Sequence, residues 1–200
     1  MMQPAGNTAA GAAGIPSSFG PSAVATPANA ISVLRLLLSI PLFLLILDEP
    51  SSWTALGFWI VLSATDGFDG WIARRQGTTR SGAFLDPLAD KVLVLGAMWA
   101  LVGAEVFWAV PVAVITAREV AISLFRSFWA RRGLAVPATK GGKLKTAVQT
   151  LAVALALFPP LVDQGWVATT ALWVAVAITV VTGIQYFVAG SRGTRASGRL

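Results

Sequence analysis

The sequence predicts an all-α polytopic membrane protein with six transmembrane helices and both termini on the cytoplasmic side. Three observations carry that prediction. Hydrophobic residues make up 56% of the 200 residues and charged residues only 12%, about half the charged share of a soluble domain. From Pro27 onward, six apolar segments of roughly 20 residues follow one another, each long enough to cross about 30 Å as a helix. The basic residues of the connections fall on alternate sides of those segments.

Residues 1–26 are mostly Ala, Gly, Pro and Ser with no charged side chain, which reads as a disordered tail. They lack the basic and compact apolar regions of a signal peptide. The membrane domain spans 27–190, with segments at 29–47, 53–75, 83–103, 106–131, 143–161 and 166–189. Three connections carry Asp48 and Glu49, then Glu105, then Asp163, and no Lys or Arg. The other two carry Arg74, Arg75 and Arg80, then Arg131, Arg132, Lys140, Lys143 and Lys145. A basic C-terminal tail, 191–200, adds Arg192, Arg195 and Arg199. The positive-inside rule then puts both termini on the cytoplasmic side. An apolar soluble bundle is the competing architecture, and it would require all six segments to be core helices.

Composition also excludes chemistry. Cysteine and histidine are both absent, so disulfides, thiolate metal sites, thiol nucleophiles and imidazole bases are ruled out. Any metal must be a hard oxygen-binder. The net charge of +6 fits cytoplasmic loops and anionic lipid, with no nucleic acid partner.

The most informative stretch is 66–90, DGFDGWIARRQGTTRSGAFLDPLAD. An ionised side chain inside a bilayer costs several kcal/mol, by contested estimates roughly 3 to 10 or more. Four aspartates here make sense around divalent metal. Asp66 and Asp69 are three apart near the end of the second segment, and Asp86 and Asp90 four apart near the start of the third. Either spacing puts a pair on one helical face. A short basic hairpin, 75–82, makes the two helices antiparallel neighbours, so the pairs can form an oxygen-rich box at the cytoplasmic edge. Pro87 falls in the first turn or two of the third helix, where a missing N–H is tolerable at N1 and a kink follows further in. Gly67, Gly70 and Ala73 keep one face small, which admits a close helix or a flat ligand.

This stretch resembles the signature of the CDP-alcohol phosphatidyltransferases, D-x2-D-G-x2-A-R-x8-G-x3-D-x3-D. Asp66, Asp69, Gly70, Ala73, Arg74, Gly82, Asp86 and Asp90 match its fixed positions. One departure is visible: seven residues, 75 to 81, separate Arg74 from Gly82 where the pattern has eight. The missing residue falls in the hairpin, where deletions are tolerated. The resemblance implies transfer of a phosphatidyl or similar group from a CDP-linked lipid to an alcohol, releasing CMP. It implies two magnesium or manganese ions held by Asp66, Asp69, Asp86 and Asp90, with Asp90 as the base. It also implies CDP contacts from Asp69, Gly70, Ala73, Arg74 and Gly82. Homodimers occur in the family.

Two basic patches bear on the acceptor. Arg118, near mid-span in the fourth segment, shares a face with positions 122 and 126, and a membrane-buried arginine needs an anionic partner. Glu119 points about 100° away around the helix, so a ligand or one of the aspartates is the expected partner. The second patch, TKGGKLKT at 139–146, joins glycines, lysines and a helix start, a ready phosphate site. The segments TAREV (116–120), VPATKGGKLKT (136–146), DPLADK (86–91) and PANAISVLR (27–35) resemble the family's phosphatidylglycerophosphate synthases. That implies CDP-diacylglycerol as donor, sn-glycerol 3-phosphate as acceptor, and a bacterial inner-membrane enzyme facing the cytoplasm. Arg118, Lys140 and Lys143 are the candidates for the acceptor phosphate, with Lys145 and Arg126 behind them. Asn29 and Arg35 fall near the cytoplasmic mouth with no assigned role. Enzymes using phosphatidylglycerol or inositol phosphate share the aspartate box. A divalent-cation transporter would use such a cluster differently.

Overall fold

The computed structural model describes residues 27–76, 82–131 and 140–197, with side chains described over 29–65, 87–128 and 144–185. Within these the chain is all helical: α1 (Pro27–Asp48), α2 (Trp53–Gln76), α3 (Gly82–Gly103), α4 (Ala109–Arg131), α5 (Lys140–Leu157) and α6 (Gly165–Ser197). A 3-10 turn, Pro159–Gln164, joins the last two. By length and apolar composition, two stretches among the described residues are long enough to cross a membrane, Asn29–Asp48 and Pro159–Gln185. Among the described residues Trp53–Thr65 and Leu144–Leu157 are apolar and shorter.

Helix ends follow local chemistry. Pro50 cannot continue α1. Ser52 then caps α2: its Oγ accepts the Ala55 N–H at 3.2 Å. The α3 terminus closes with Glu105 N–H donating to the Val102 carbonyl at 3.1 Å and Val106 N–H to that of Leu101 at 2.9 Å. This is a Schellman motif, and Glu105 takes its left-handed position at φ 60°. That turn moves the start of α4 to Ala109 rather than 106. Two prolines end α5 at Leu157 rather than 161, and its first turn begins at Lys140. Pro87 is the sixth residue of α3 and lies inside the helix. Helix α6 continues to Ser197, into the stretch expected to be a tail.

The inward faces change character along their length. On α1, Leu42 and Ile46 are buried toward the C-terminus, while Asn29, Ser32, Arg35 and Ser39 are buried toward the N-terminus. On α5, Lys145 and Gln149 precede Ala152, Val153, Ala156 and Leu157. On α6 the order reverses: Ala168, Leu172, Ala175 and Val176 come first, then Thr179 and Thr182. Ser51 Oγ reaches the Ala156 carbonyl at 3.4 Å. Trp53 packs edge-on against Phe158 with ring centroids 5.5 Å apart. These contacts put the start of α2 beside the end of α5. The apolar halves thus gather at one end of the bundle and the polar halves at the other. At the apolar end α1 and α3 cross closely. A Cβ on Gly96 would lie 2.2 Å from Phe43 Cζ, so only glycine admits that ring.

The outer surface is apolar along the helices, with Leu34, Leu37, Ile40, Leu44 and Leu47 exposed on α1 alone. Trp53, Trp108 and Trp166, at 64%, 73% and 69% exposure, all stand at the apolar end, where α2, α4 and α6 begin.

Candidate active site

Every buried polar side chain among the described residues belongs to the polar end: Asn29, Ser32, Arg35 and Ser39 on α1, Glu119 on α4, Lys145 and Gln149 on α5, Thr179 and Thr182 on α6. Burying so many hydrogen-bonding groups is costly unless each is partnered. The same end receives the C-terminal half of α2, with Asp66 and Asp69, and the N-terminal half of α3, with Asp86 and Asp90. Both helices pack against α1 and α5. Asp90 is half-buried, one position after the buried Ala89. The side chains of Asp66, Asp69, Gly70, Ala73, Arg74, Gly82 and Asp86, and those of Lys140 and Lys143, lie outside the described residues. So does the hairpin at 77–81. What the fold supplies is placement: both aspartate pairs and the start of α5 share one end of the bundle.

Four carboxylates at helical spacing, without histidine or cysteine, are a donor set suited to hard divalent ions. That chemistry fits the two magnesium or manganese ions that the motif implies. Among the described residues no cluster of three or more acidic side chains forms a metal site by itself.

The described part of the polar end is a network around Glu119. Its carboxylate accepts from Arg118 Nη1 at 3.0 Å and from Lys145 Nζ. Arg118 Nη2 donates to Thr182 Oγ1 at 3.2 Å, and Thr182 in turn donates to the Ile178 carbonyl at 2.7 Å. Gln149 Nε2 donates to Thr179 Oγ1 at 3.2 Å. Lys91 Nζ donates to Ser123 Oγ, which donates to the Glu119 carbonyl at 2.7 Å. Three helices are thereby tied to α4, which carries Glu119.

This corrects one expectation. Arg118 does pair with its sequence neighbour, because a long guanidinium arm can curl across the 100° that separates adjacent positions on a helix. The arginine's anionic partner is therefore internal. Arg126, expected on the same face, is exposed and outside the network. Lys145, ranked behind Lys140 and Lys143, is 6% exposed and one of the network's two direct partners of Glu119. Lys91, Gln149, Thr179 and Thr182 were not singled out by sequence. The available signal was positional: each is a polar residue on an otherwise apolar inward face.

The family model described as CDP-alcohol phosphatidyltransferase matches residues 25–181. A CDP-diacylglycerol–glycerol-3-phosphate 3-phosphatidyltransferase of Bacillus subtilis is 38% identical over 178 residues, covering 80% of this chain and 92% of its own. The Escherichia coli protein of the same name is 37% identical over 164 residues, 78% of this chain and 90% of its own. A Mycobacterium tuberculosis protein named as a probable phosphatidylglycerophosphate synthase is 36% identical over 175 residues, 84% and 82% of the two chains. With its signature stretch at one polar end of a helical bundle and a match over most of its length, the chain belongs to the CDP-alcohol phosphatidyltransferase family.

Proposed function

We propose that the chain transfers the phosphatidyl group of CDP-diacylglycerol to sn-glycerol 3-phosphate, giving phosphatidylglycerol phosphate and CMP. The observation that carries this reading is the convergence, at one end, of the aspartate-bearing helix halves with a cation-rich buried network. Relatives named for this reaction support it at 37–38% identity.

In this reading Asp66, Asp69, Asp86 and Asp90 hold two divalent ions. When bound, these supply charge stabilisation at the pyrophosphate and its departing oxygen. Gly70, Ala73, Arg74 and Gly82, with Asp69, seat the CDP moiety, and the arginine can pair with a phosphate oxygen. The acceptor hydroxyl oxygen forms a bond to the lipid-linked phosphorus. The bond from that phosphorus to the oxygen of CMP breaks, and the hydroxyl proton passes to Asp90. Arg118, Lys140 and Lys143 hold the acceptor's phosphate. To do so Arg118 must exchange an internal partner for the ligand.

The bundle lies across a bacterial inner membrane with six crossings, the polar end and both termini toward the cytoplasm. The apolar outer faces support this, as does the confinement of all connecting Lys and Arg to one side. Exposed Trp53, Trp108 and Trp166 at the opposite end fit an interfacial aromatic belt.

The test is CMP release by the purified chain in detergent with CDP-diacylglycerol and magnesium, offering glycerol 3-phosphate, phosphatidylglycerol or inositol phosphate separately. Release with glycerol 3-phosphate alone is the expected result. Release with a different acceptor alone would overturn the substrate assignment and leave the transfer chemistry standing.

A further inference from the structure

Glu119 has an unusual set of neighbours. It is 5% exposed, and its Oε1 receives both the Arg118 guanidinium, at 3.0 Å, and the Lys145 ammonium. Lys91 reaches the same helix through Ser123 Oγ, which donates to the Glu119 carbonyl at 2.7 Å. Two cations, Arg118 and Lys145, thus share one carboxylate oxygen. A phosphate monoester carries about −1.5 to −2 at neutral pH, so it can match both cations where a carboxylate matches one. A phosphodiester, at −1, leaves one of them uncompensated.

The donors around Glu119 are only partly used. Arg118 Nε is buried with no acceptor among the described residues. It lies beside Gly183 on α6, where a Cβ would come within 3.3 Å of it. Lys145 makes one described hydrogen bond, to Glu119, from a group with three donors. The network is therefore a cation cluster held by an internal anion, with donor capacity to spare.

We propose that Glu119 is a positioning residue that stands in for the acceptor's phosphate. It holds Arg118 and Lys145 together while the acceptor is absent, and it competes with an incoming phosphomonoester for them. The inference rests on the acceptor reading above, which assigns the phosphate to Arg118. It adds that acceptor affinity is deliberately reduced by a built-in competitor, so that the phosphate-bearing product can leave. Like charges a few ångströms apart in a partly desolvated site interact by several kcal/mol. Neutralising Glu119 should therefore strengthen phosphate binding rather than weaken it.

The experiment measures glycerol 3-phosphate binding to the purified full chain by ligand-induced thermal stabilisation, with steady-state kinetics alongside and glycerol as the uncharged control. For E119Q the expected result is glycerol 3-phosphate affinity tightened on the order of tenfold. CDP-diacylglycerol affinity should be unchanged and kcat lowered as product release slows. E119D, which keeps the charge on a shorter arm, should fall between the two. It decides the matter if E119Q does not fold. If E119Q, or failing it E119D, binds glycerol 3-phosphate no better than the unsubstituted chain while R118Q loses it, the competitor role is overturned and the acceptor site stands. If R118Q binds it as well as the unsubstituted chain, the acceptor site lies elsewhere and both readings fall.

Discussion

At the end of the bundle where α2, α4 and α6 begin, the inward faces carry Ala55, Trp59, Val112, Ala168 and Leu172. At the other end the same helices turn inward Glu119, Ser123, Thr179 and Thr182, or carry Asp66 and Asp69. The first region is closed by shape: Gly96 receives Phe43, and Trp53 meets Phe158 edge-on. The second is closed by charge and hydrogen bonds that converge on Glu119. In the membrane placement proposed above there is little hydrophobic driving force between helices, so van der Waals packing at the apolar end must supply much of the cohesion. The polar end can then gather two cations, Arg118 and Lys145, on the one Glu119 carboxylate, a state poor for stability and suited to binding anions. Substitutions at the two ends should therefore separate activity from stability.

The largest separation should come from the aspartates. Asp86→Asn should lower CMP release on the order of a thousandfold with little change in melting temperature. Asp66→Asn and Asp69→Asn should behave alike. Full turnover in any of the three would remove that residue from a shared metal site. At the opposite end, Leu42→Ala should cost about 2–4 kcal/mol by opening a cavity at a fully buried position. Turnover per folded molecule should stay the same, measured by activity against the folded fraction during a melt. A drop in turnover without a drop in stability would show that the two ends are coupled. A smaller effect is expected from Lys143→Ala, which should raise KM for glycerol 3-phosphate about tenfold, the worth of one charge-assisted phosphate contact. KM for CDP-diacylglycerol should not move. A selective loss of donor binding would instead assign the first turn of α5 to the nucleotide.

The sequence shows the two regions unequally. Apolar length places the helices within a few residues, because a run of twenty apolar residues has few other folds, except that α6 runs on past the expected 189 to Ser197. The shifted start of α4 and end of α5 have local causes: the Schellman turn at 101–106, and the Pro159–Pro160 pair. The aspartate pairs were legible because their spacing is itself the chemistry. The Glu119 network was not. Its members come from α3, α4, α5 and α6, and their spacing along the chain gives no sign that they meet. Only packing shows that Lys145 reaches Glu119 or that Thr182 reaches Arg118. The pairing of Arg118 with Glu119 was missed for a specific reason. Adjacent positions on a helix diverge at Cβ, but a guanidinium lies several bonds beyond it and can return.

The smallest effect tests whether the apolar end is fully optimised. Glu105 occupies a left-handed conformation, φ 60°, at a turn where glycine is the usual residue. A side chain there costs about 1–2 kcal/mol, which glycine would relieve. Glycine also gains freedom in the unfolded chain, offsetting about 0.5–1 kcal/mol of the benefit. Glu105→Gly should therefore stabilise by about 0.5 kcal/mol, a rise of about 1–2 °C in melting temperature for a chain of this size. Glu105→Ala keeps the backbone cost and should not rise. A thermal melt of the two variants in the same detergent decides the point. Equal melting temperatures would mean that the turn carries no strain. A gain for glycine alone would mark a removable cost at the apolar end, remote from the residues proposed to act on phosphate.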